Sequence, residues 1–463
     1  MKSVIHDRVY RQVKPFTVFL LIVALITMLS ACGTDQSSPT ASSTPKSNTG
    51  TNTGNTSTGG NASNDSTSNK EKIVINYWYS WGDKIGETKE ALVKMFNESQ
   101  DDIEVKAAYQ GTYDDQHAKV QSAFVAGNAP EVWENEIASV GVFAQAGLTQ
   151  DLTPFVERDK LDINDFIPGL MGNSYVDGKL YALPYFRSTP LLYYNKTLFK
   201  EAGLDLAGPK TWDEFADAAR KLTVPEKRVG MTLAPSVWYY EALVKESGGE
   251  VITPDGKIGF NSEAGIEPVR FWKMLKEEGV LKVPTTDDAG SVARTDFENG
   301  RSAMYFSSTA DLTKLLELAK GAGFELGATF MPKNKMYGVP TGGANIVMSA
   351  GLSPEKQEAA WTFIKWITAK EQTIYQSTHT GYLPSRLSAV ESPEMQALYK
   401  EYPLFKVAVD QLEYAGPRPM IKQYPEIAKV LQDEIGRALI DPKTTPEAAI
   451  QAATQKAEKI LSK

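Results

Sequence analysis

Leu183-Pro184-Tyr185-Phe186-Arg187-Ser188-Thr189-Pro190-Leu191-Leu192-Tyr193-Tyr194-Asn195-Lys196 is the stretch on which the fold turns. It is apolar, aromatic and β-prone, and two prolines bracket an Arg-Ser-Thr cluster. Proline cannot donate to a sheet ladder, so Pro184 and Pro190 belong at strand ends or edges. Leu191 to Tyr194 reads as a buried strand. Polar groups at the mouth of such a strand are where an open α/β sheet holds a small molecule. The stretch is therefore expected to cross between two lobes and to offer Arg187 and Ser188 to a ligand in the cleft. An ordinary core strand with a solvated Arg is the plainer alternative.

Upstream, Ile73 to Trp78 reads as a first strand, Gly86 to Ser99 as an amphipathic helix, and Ile103 to Tyr109 as a second strand. A helix from about Asp115 to Ala126 and a short strand from Glu131 to Glu136 follow, separated by the turn Gly127-Asn128-Ala129-Pro130. Strand and helix alternate, which predicts mainly parallel sheets with helices on both faces. Aromatic and polar residues recur just after strands: Trp81, Tyr113, and the group Glu134-Asn135-Glu136. Downstream, Thr211-Trp212-Asp213-Glu214 is a capping box, and Trp238 sits on the next helix start or loop. Ala303 to Phe306 reads as a strand opening into Ser307-Ser308. A further strand follows Thr341-Gly342-Gly343, and Ser353-Pro354 starts a helix. The turn Thr380-Gly381-Tyr382-Leu383-Pro384 and two C-terminal helices, near 425–439 and 446–461, close the chain.

The 463 residues are too many for one ordinary domain, and the 42% hydrophobic content indicates a globular body. The net charge is −8; the first 31 residues carry Lys2, Arg8, Arg11 and Lys14 against Asp7, so the remainder stands at −11. So acidic a body is a poor match for nucleic acid. The apolar run Phe16–Leu29 is too short to span a bilayer and fits a signal h-region. It ends in Leu29-Ser30-Ala31-Cys32, which resembles the lipobox of bacterial lipoproteins, with Cys32 as the lipidated residue. Cys32 is the only cysteine, which excludes disulfides and thiol chemistry from the body. Gly33 to Lys70 is Ser, Thr, Asn, Gly and Pro, the composition of a disordered tether.

Catalytic signatures are scarce. Only His117 and His379 remain beyond the signal, and neither His-Glu-x-x-His nor Gly-x-Ser-x-Gly occurs. No metal site and no cofactor is expected, although a carboxylate-pair glycosidase leaves no local signature. Binding chemistry recurs instead. Tyr and Trp offer faces for sugar CH groups, and Ser, Thr, Asn and Glu offer hydrogen bonds to hydroxyls. Gly342-Gly343 lets backbone approach a ligand. Each has a plainer reading: Trp81 and Trp238 as core, Gly342-Gly343 as a tight turn, Ser307 and Ser308 as helix caps.

Five stretches together resemble the family 1 extracellular solute-binding proteins of ABC importers, the maltose-binding-like group. They are Ala126-Gly127-Asn128-Ala129-Pro130-Glu131-Val132, Tyr193-Tyr194-Asn195-Lys196, Pro209 to Phe215, Asn299-Gly300-Arg301-Ser302-Ala303-Met304, and Gly381-Tyr382-Leu383-Pro384. Ser188 to Lys196, Gly342-Gly343-Ala344 and Thr380 to Pro384 are most similar to the family's sn-glycerol-3-phosphate-binding branch. That resemblance implies a two-lobe α/β fold with three hinge crossings, near Tyr185–Ser188, Met304–Ser308 and Pro340–Gly343. It implies a first lobe of 72–186 plus 304–341 and a second of 187–303 plus 342–463, after a signal peptide (1–31) and the lipidated linker (32–71). Tyr113, Ser188, Ser308, Gly343 and Tyr382 fall on or next to ligand contacts. The branch's ligand carboxylate falls at Ile137, beside Glu136, and its phosphate-facing Arg at Met420, near Arg418. The full expected ligand set is Trp81, Tyr113, Glu134, Glu136, Arg187, Ser188, Trp238, Ser308, Gly342, Gly343, Tyr382 and Arg418. Arg187 is expected to need a carboxylate, with Glu134 and Glu136 as candidates, or a phosphate or hydroxyl acceptors. The expected function is a lipid-anchored, monomeric binding protein at the outer face of the cell membrane. It captures a carbohydrate or glycerol phosphate by lobe closure and passes it to a membrane permease. A secreted carbohydrate-active enzyme or a surface sensor on the same fold is the alternative.

Overall fold

A computed structural model describes residues 71–462 except residue 287. The signal, Cys32 and the Gly33–Lys70 tether lie outside the described residues. In chain order the strands are β1 (Ile73–Tyr79), β2 (Ile103–Tyr109), β3 (Val132–Glu136), β4 (Tyr175–Val176), β5 (Lys179–Leu180), β6 (Leu183–Ser188) and β7 (Pro190–Asn195). There follow β8 (Val229–Thr232), β9 (Leu281–Lys282), β10 (Ser302–Ser308), β11 (Leu326–Thr329), β12 (Val339–Pro340), β13 (Gly342–Met348) and β14 (Ala415–Gly416). They build two five-stranded sheets, ordered β2-β1-β3-β13-β6 and β11-β7-β10-β8-β9, and two two-stranded pairs, β4-β5 and β12-β14.

The opening stretch supplies one strand to each sheet, and only Thr189 separates them. β6 is an edge strand, where Pro184 costs no ladder bond. β7 runs between β10 and β11 and is buried along its whole length, which is why it reads as a continuous apolar run. Pro190 is its first residue, the other position a strand tolerates. Thr189 is held where the chain changes sheet: its carbonyl accepts from Thr309 N–H at 3.0 Å and its hydroxyl from Gln411 Nε2 at 3.1 Å.

Each sheet has its own core. Tyr77, Leu183, Tyr185 and Phe186 of the first pack with Trp361, Phe363 and Ile364 from the helix Pro354–Ile367. Leu192, Met304 and Phe306 of the second pack with Phe215, Tyr240 and Trp272 and with the C-terminal helices Tyr424–Ile440 and Pro446–Leu461. The Thr211 hydroxyl caps the helix Trp212–Leu222, accepting from Glu214 N–H at 3.1 Å, while Glu214 reaches back past Thr211 to Lys210 N–H at 2.7 Å. Among the described residues no helix is long and apolar enough to cross a membrane.

Three expectations need correction. The sheets are mixed: β1 pairs in parallel with β2 and β3, but β13 runs antiparallel to β3 and β6, and β7 antiparallel to β10 and β11. Strand–helix alternation specifies parallel pairs only while the chain stays within one lobe. Here strands also arrive from the other lobe and enter reversed. Second, Met304–Ser308 does not change sheets, because β10 and the following β11 both belong to the second sheet. The change comes later, between Thr329 and Gly342. Third, the expected division assigned 304–341 to the first lobe and 342–463 to the second. Pairing puts β10 and β11 in the second sheet and β13 in the first, since β13's ladder partners are β3 and β6.

Candidate functional site

The C-terminal ends of β1, β3, β6 and β10 open toward one cleft of about 620 Å³, within the usual range for small-molecule sites. β13 runs antiparallel to β3, so its first residues, Gly342 and Gly343, come to the same side. Ten of the twelve expected residues line this cleft: Trp81, Tyr113, Glu136, Ser188, Trp238, Ser308, Gly342, Gly343, Tyr382 and Arg418.

The aromatic residues form its walls. Trp81 follows β1 with φ at +66°, in the left-handed region, and is 38% exposed. Its ring meets Tyr113 edge-on, centroids 5.3 Å apart. Tyr113 begins a helix held by the reciprocal Thr112–Asp115 capping box. Trp238 lies in the first turn of the helix Val237–Glu246, capped by Ser236, and its Nε1 donates to Thr341 O at 3.1 Å. That bond lays the indole against Gly342, where a Cβ would fall 2.5 Å from the ring. Gly343 has φ +85°, and a Cβ there would fall 2.0 Å from Phe186 O. Only glycine lets the strand pass this close. Burial pushes the hydroxyl pKa values of Tyr113 and Tyr382 up, so both stay protonated donors. Ser308 does both jobs that its sequence allowed: its hydroxyl accepts from Ala310 N–H at 3.1 Å and it lines the cleft.

Arg187 and Glu134 are corrections. Arg187 is wholly buried on the face opposite Ser188, as alternation along a strand requires. Phe186, at φ +49°, forms a bulge opposite the Gly343/Ala344 step. The guanidinium donates to Gly342 O at 3.0 Å, Leu170 O at 2.5 Å, Asn345 Oδ1 at 2.9 Å and Thr341 Oγ1 at 2.7 Å. All four acceptors are neutral, so neither Glu134 nor Glu136 is its partner. Burial pulls its pKa down to about 9, which leaves it charged at pH 7. Glu134 lies under the cleft floor, 0% exposed. It accepts from Lys89 Nζ at 2.7 Å, Tyr77 Oη at 2.9 Å and the Ser80 amide at 3.0 Å. Lys89 also donates to Ser80 O at 2.7 Å, so the pair fixes the strand end from which Trp81 springs.

Ile137 is buried in the core, and Met420 lines a separate cavity behind Arg418. The polar groups the cleft receives are their neighbours, Glu136 and Arg418. Arg418 Nη1 meets Glu136 Oε1 at 2.8 Å, and its Nη2 and Nε meet Glu241 at 2.8–3.2 Å. Burial disfavours the Arg418 charge, but Glu241 and Glu136 outweigh it and raise the pKa. Sequence reading missed Glu241, which is mid-helix, 2% exposed and also bonded by Tyr424 Oη. It missed Asp311 too, whose carboxyl is raised by burial while Ser307 Oγ donates to it. Glu241 follows no strand and only its tertiary neighbours mark it, whereas Asp311 lies just past β10 and was passed over for Ser307 and Ser308. Among the described residues no group of three or more His, Cys, Asp or Glu side chains is arranged to hold a metal ion.

Two sheets opening on a shared cleft define a two-lobed solute-binding architecture. The chain belongs to the bacterial extracellular solute-binding protein family, which matches residues 91–406. It is 27% identical over 412 residues to the sn-glycerol-3-phosphate-binding periplasmic protein UgpB of Yersinia pestis, covering 84% of this chain and 92% of that one. UgpB of Mycobacterium tuberculosis, solved with glycerophosphocholine, superposes with a TM-score of 0.75 at 24% identity, over 85% of this chain and 99% of that one. The GacH receptor of Streptomyces glaucescens, solved unliganded and with acarbose, superposes with a TM-score of 0.76 at 22% identity, over 85% and 99% of the two chains.

Proposed function

We propose that the protein is a lipid-anchored, non-catalytic solute receptor. It captures a carbohydrate or glycerol phosphate between its lobes and delivers it to an ABC permease at the outer face of the membrane. The observation that carries this reading is the convergence of ten side chains or glycines from both sheets on one cleft. Aromatic faces, hydroxyls and a buried ion cluster meet there, the mixture that holds a polyhydroxylated molecule. Closure about the sheet-changing segments would bring both halves onto the ligand, and the closed shape is what a permease can recognise. The relatives' names point to glycerol 3-phosphate, and acarbose, bound by GacH, is a carbohydrate. Cys32 supplies the anchor, because its setting resembles a lipobox.

A thermal-shift screen of oligosaccharides, polyols and glycerol phosphates tests the reading. The expected result is a ligand that raises the melting temperature and is recovered unchanged. Release of sugar or phosphate from that ligand by the purified protein would instead make it an enzyme.

A further inference from the structure

We propose that the ligand is an uncharged polyhydroxylated solute, and that Glu241 and Glu136 exclude phosphate esters by neutralising Arg418. This rests on the solute-receptor reading above and narrows it. Two arginines sit near enough to the cleft to have met a phosphate, and the protein itself engages both. Arg187 is sealed behind the strand and donates to four neutral protein acceptors. Arg418 reaches the cleft, but two carboxylates hold all three of its nitrogens. With Arg187 behind the strand, two cations and two carboxylates balance at that end, so neither a free donor nor a net positive charge is left there for a phosphate. An incoming phosphate would give up its water for a site with no unpaired cation and would meet the Glu136 carboxylate as like charge, which costs more in a partly desolvated site than in water.

The remaining charges do not reverse this. Asp311 faces the same cleft and adds no positive charge. Lys84 and Lys314 are exposed, Lys84 3.8 Å from Glu87, and half-buried Arg294 lies 3.6 Å from Glu298 and, with Lys314, offsets the Asp311 carboxylate. Exposed cations hold an anion weakly and salt screens them. A sugar suits the deep end better. Glu136 Oε2 already accepts from Ala138 N–H and Ser139 Oγ, so its Oε1, shared with Arg418, and the tyrosine hydroxyls are the groups that exchange hydrogen bonds with neutral hydroxyls, and Trp81 and Trp238 offer ring faces. The glycerol-3-phosphate preference in the relatives' names is thus not expected here, because Glu241 cancels the charge such a ligand needs.

The test is titration calorimetry of the mature protein with sn-glycerol 3-phosphate and with maltotriose, for wild type, Glu241→Gln and Glu136→Gln. Far-UV circular dichroism checks that each variant is folded. Wild type is expected to show no saturable heat with the phosphate ester. Each variant is expected to gain phosphate-ester affinity by about tenfold or more, falling with added salt. Glu136→Gln guards against misfolding of the more buried variant. Salt-sensitive binding of glycerol 3-phosphate by wild type would overturn the proposal, and so would folded variants that gain nothing. Failure of the receptor reading looks different: no solute of any class, maltotriose included, would shift the melting temperature, while the variants' gain of phosphate affinity would still be seen.

Discussion

Arg187 has no exposed surface and donates only to protein acceptors, so its substitution should act on folding before binding. Arg187→Lys keeps the charge but loses the planar fork, leaving carbonyls buried without donors. The expected cost is about 2–4 kcal/mol in urea unfolding, from one or two charge-assisted hydrogen bonds. Ligand affinity of the folded fraction should stay near wild type, and a large affinity loss at unchanged stability would return Arg187 to the site. Trp81 is the opposite case. It is partly exposed, strained at φ +66° and held by the Glu134–Lys89 pair through Ser80. Trp81→Ala should weaken ligand binding roughly tenfold, about 1.4 kcal/mol, and abolish most of the ligand-induced fluorescence change. Equal affinity in the variant would make Trp81 a surface residue without a role. Most lining residues were legible because they follow strands. Arg187 and Glu134 also sit in strands, but Arg187 faces away from the cleft beside the Phe186 bulge, and Glu134, on the same face as Glu136, is covered by Lys89, Tyr77 and Ser80.

Elements were easier to read than their pairing. β1, β2, β7 and the two last helices lie within a residue or two of expectation, because their apolar periodicity is local. The membership of β10 and β13 was not legible, since ladder partners come from distant segments. Met348, the last residue of β13, pairs with Val132. Glu131 just before it ties the elements together: it accepts from Asn76 N–H at 2.7 Å, Asn76 Nδ2 at 3.0 Å and Lys356 of the helix Pro354–Ile367. Burial opposes its charge, but Lys356 and Asn76 prevail and hold its pKa below the ordinary value. A depressed folded pKa stabilises above the unfolded value, about 4.3, and that stability is lost as pH falls through the folded pKa. Urea midpoints should therefore hold from pH 7 to about 4.5 and then decline. Glu131→Gln should lower the midpoint at pH 7 and flatten the decline. An identical pH profile in the variant would remove Glu131 from the account.

At the scale of the molecule, closure and anchoring make separate predictions. Small-angle scattering should give a smaller radius of gyration with the ligand identified by the thermal screen than without it, because lobes closing on a cleft shorten the particle. No change at saturating ligand would leave the cleft a rigid pocket. Cys32→Ala should move the protein from the membrane fraction to the medium, and the wild-type N-terminus should carry a lipid by mass spectrometry; unchanged retention would point to another anchor. The sequence by itself determined the α/β class, its two lobes through a family resemblance, a crossing within Leu183–Lys196, and ten of the groups that line the cleft. Apart from the resemblance, those features are local: residue alternation, and polar residues after apolar strands. Tertiary structure alone decided sheet membership and charge compensation. Arg187 is satisfied by Thr341, Gly342 and Asn345, more than 150 residues away, and Arg418 by Glu136 and Glu241, 282 and 177 residues away. Periodicity and capping act over a few residues, whereas whether a cation is free for a ligand depends on which distant carboxylate or carbonyl the fold brings within 3 Å of it.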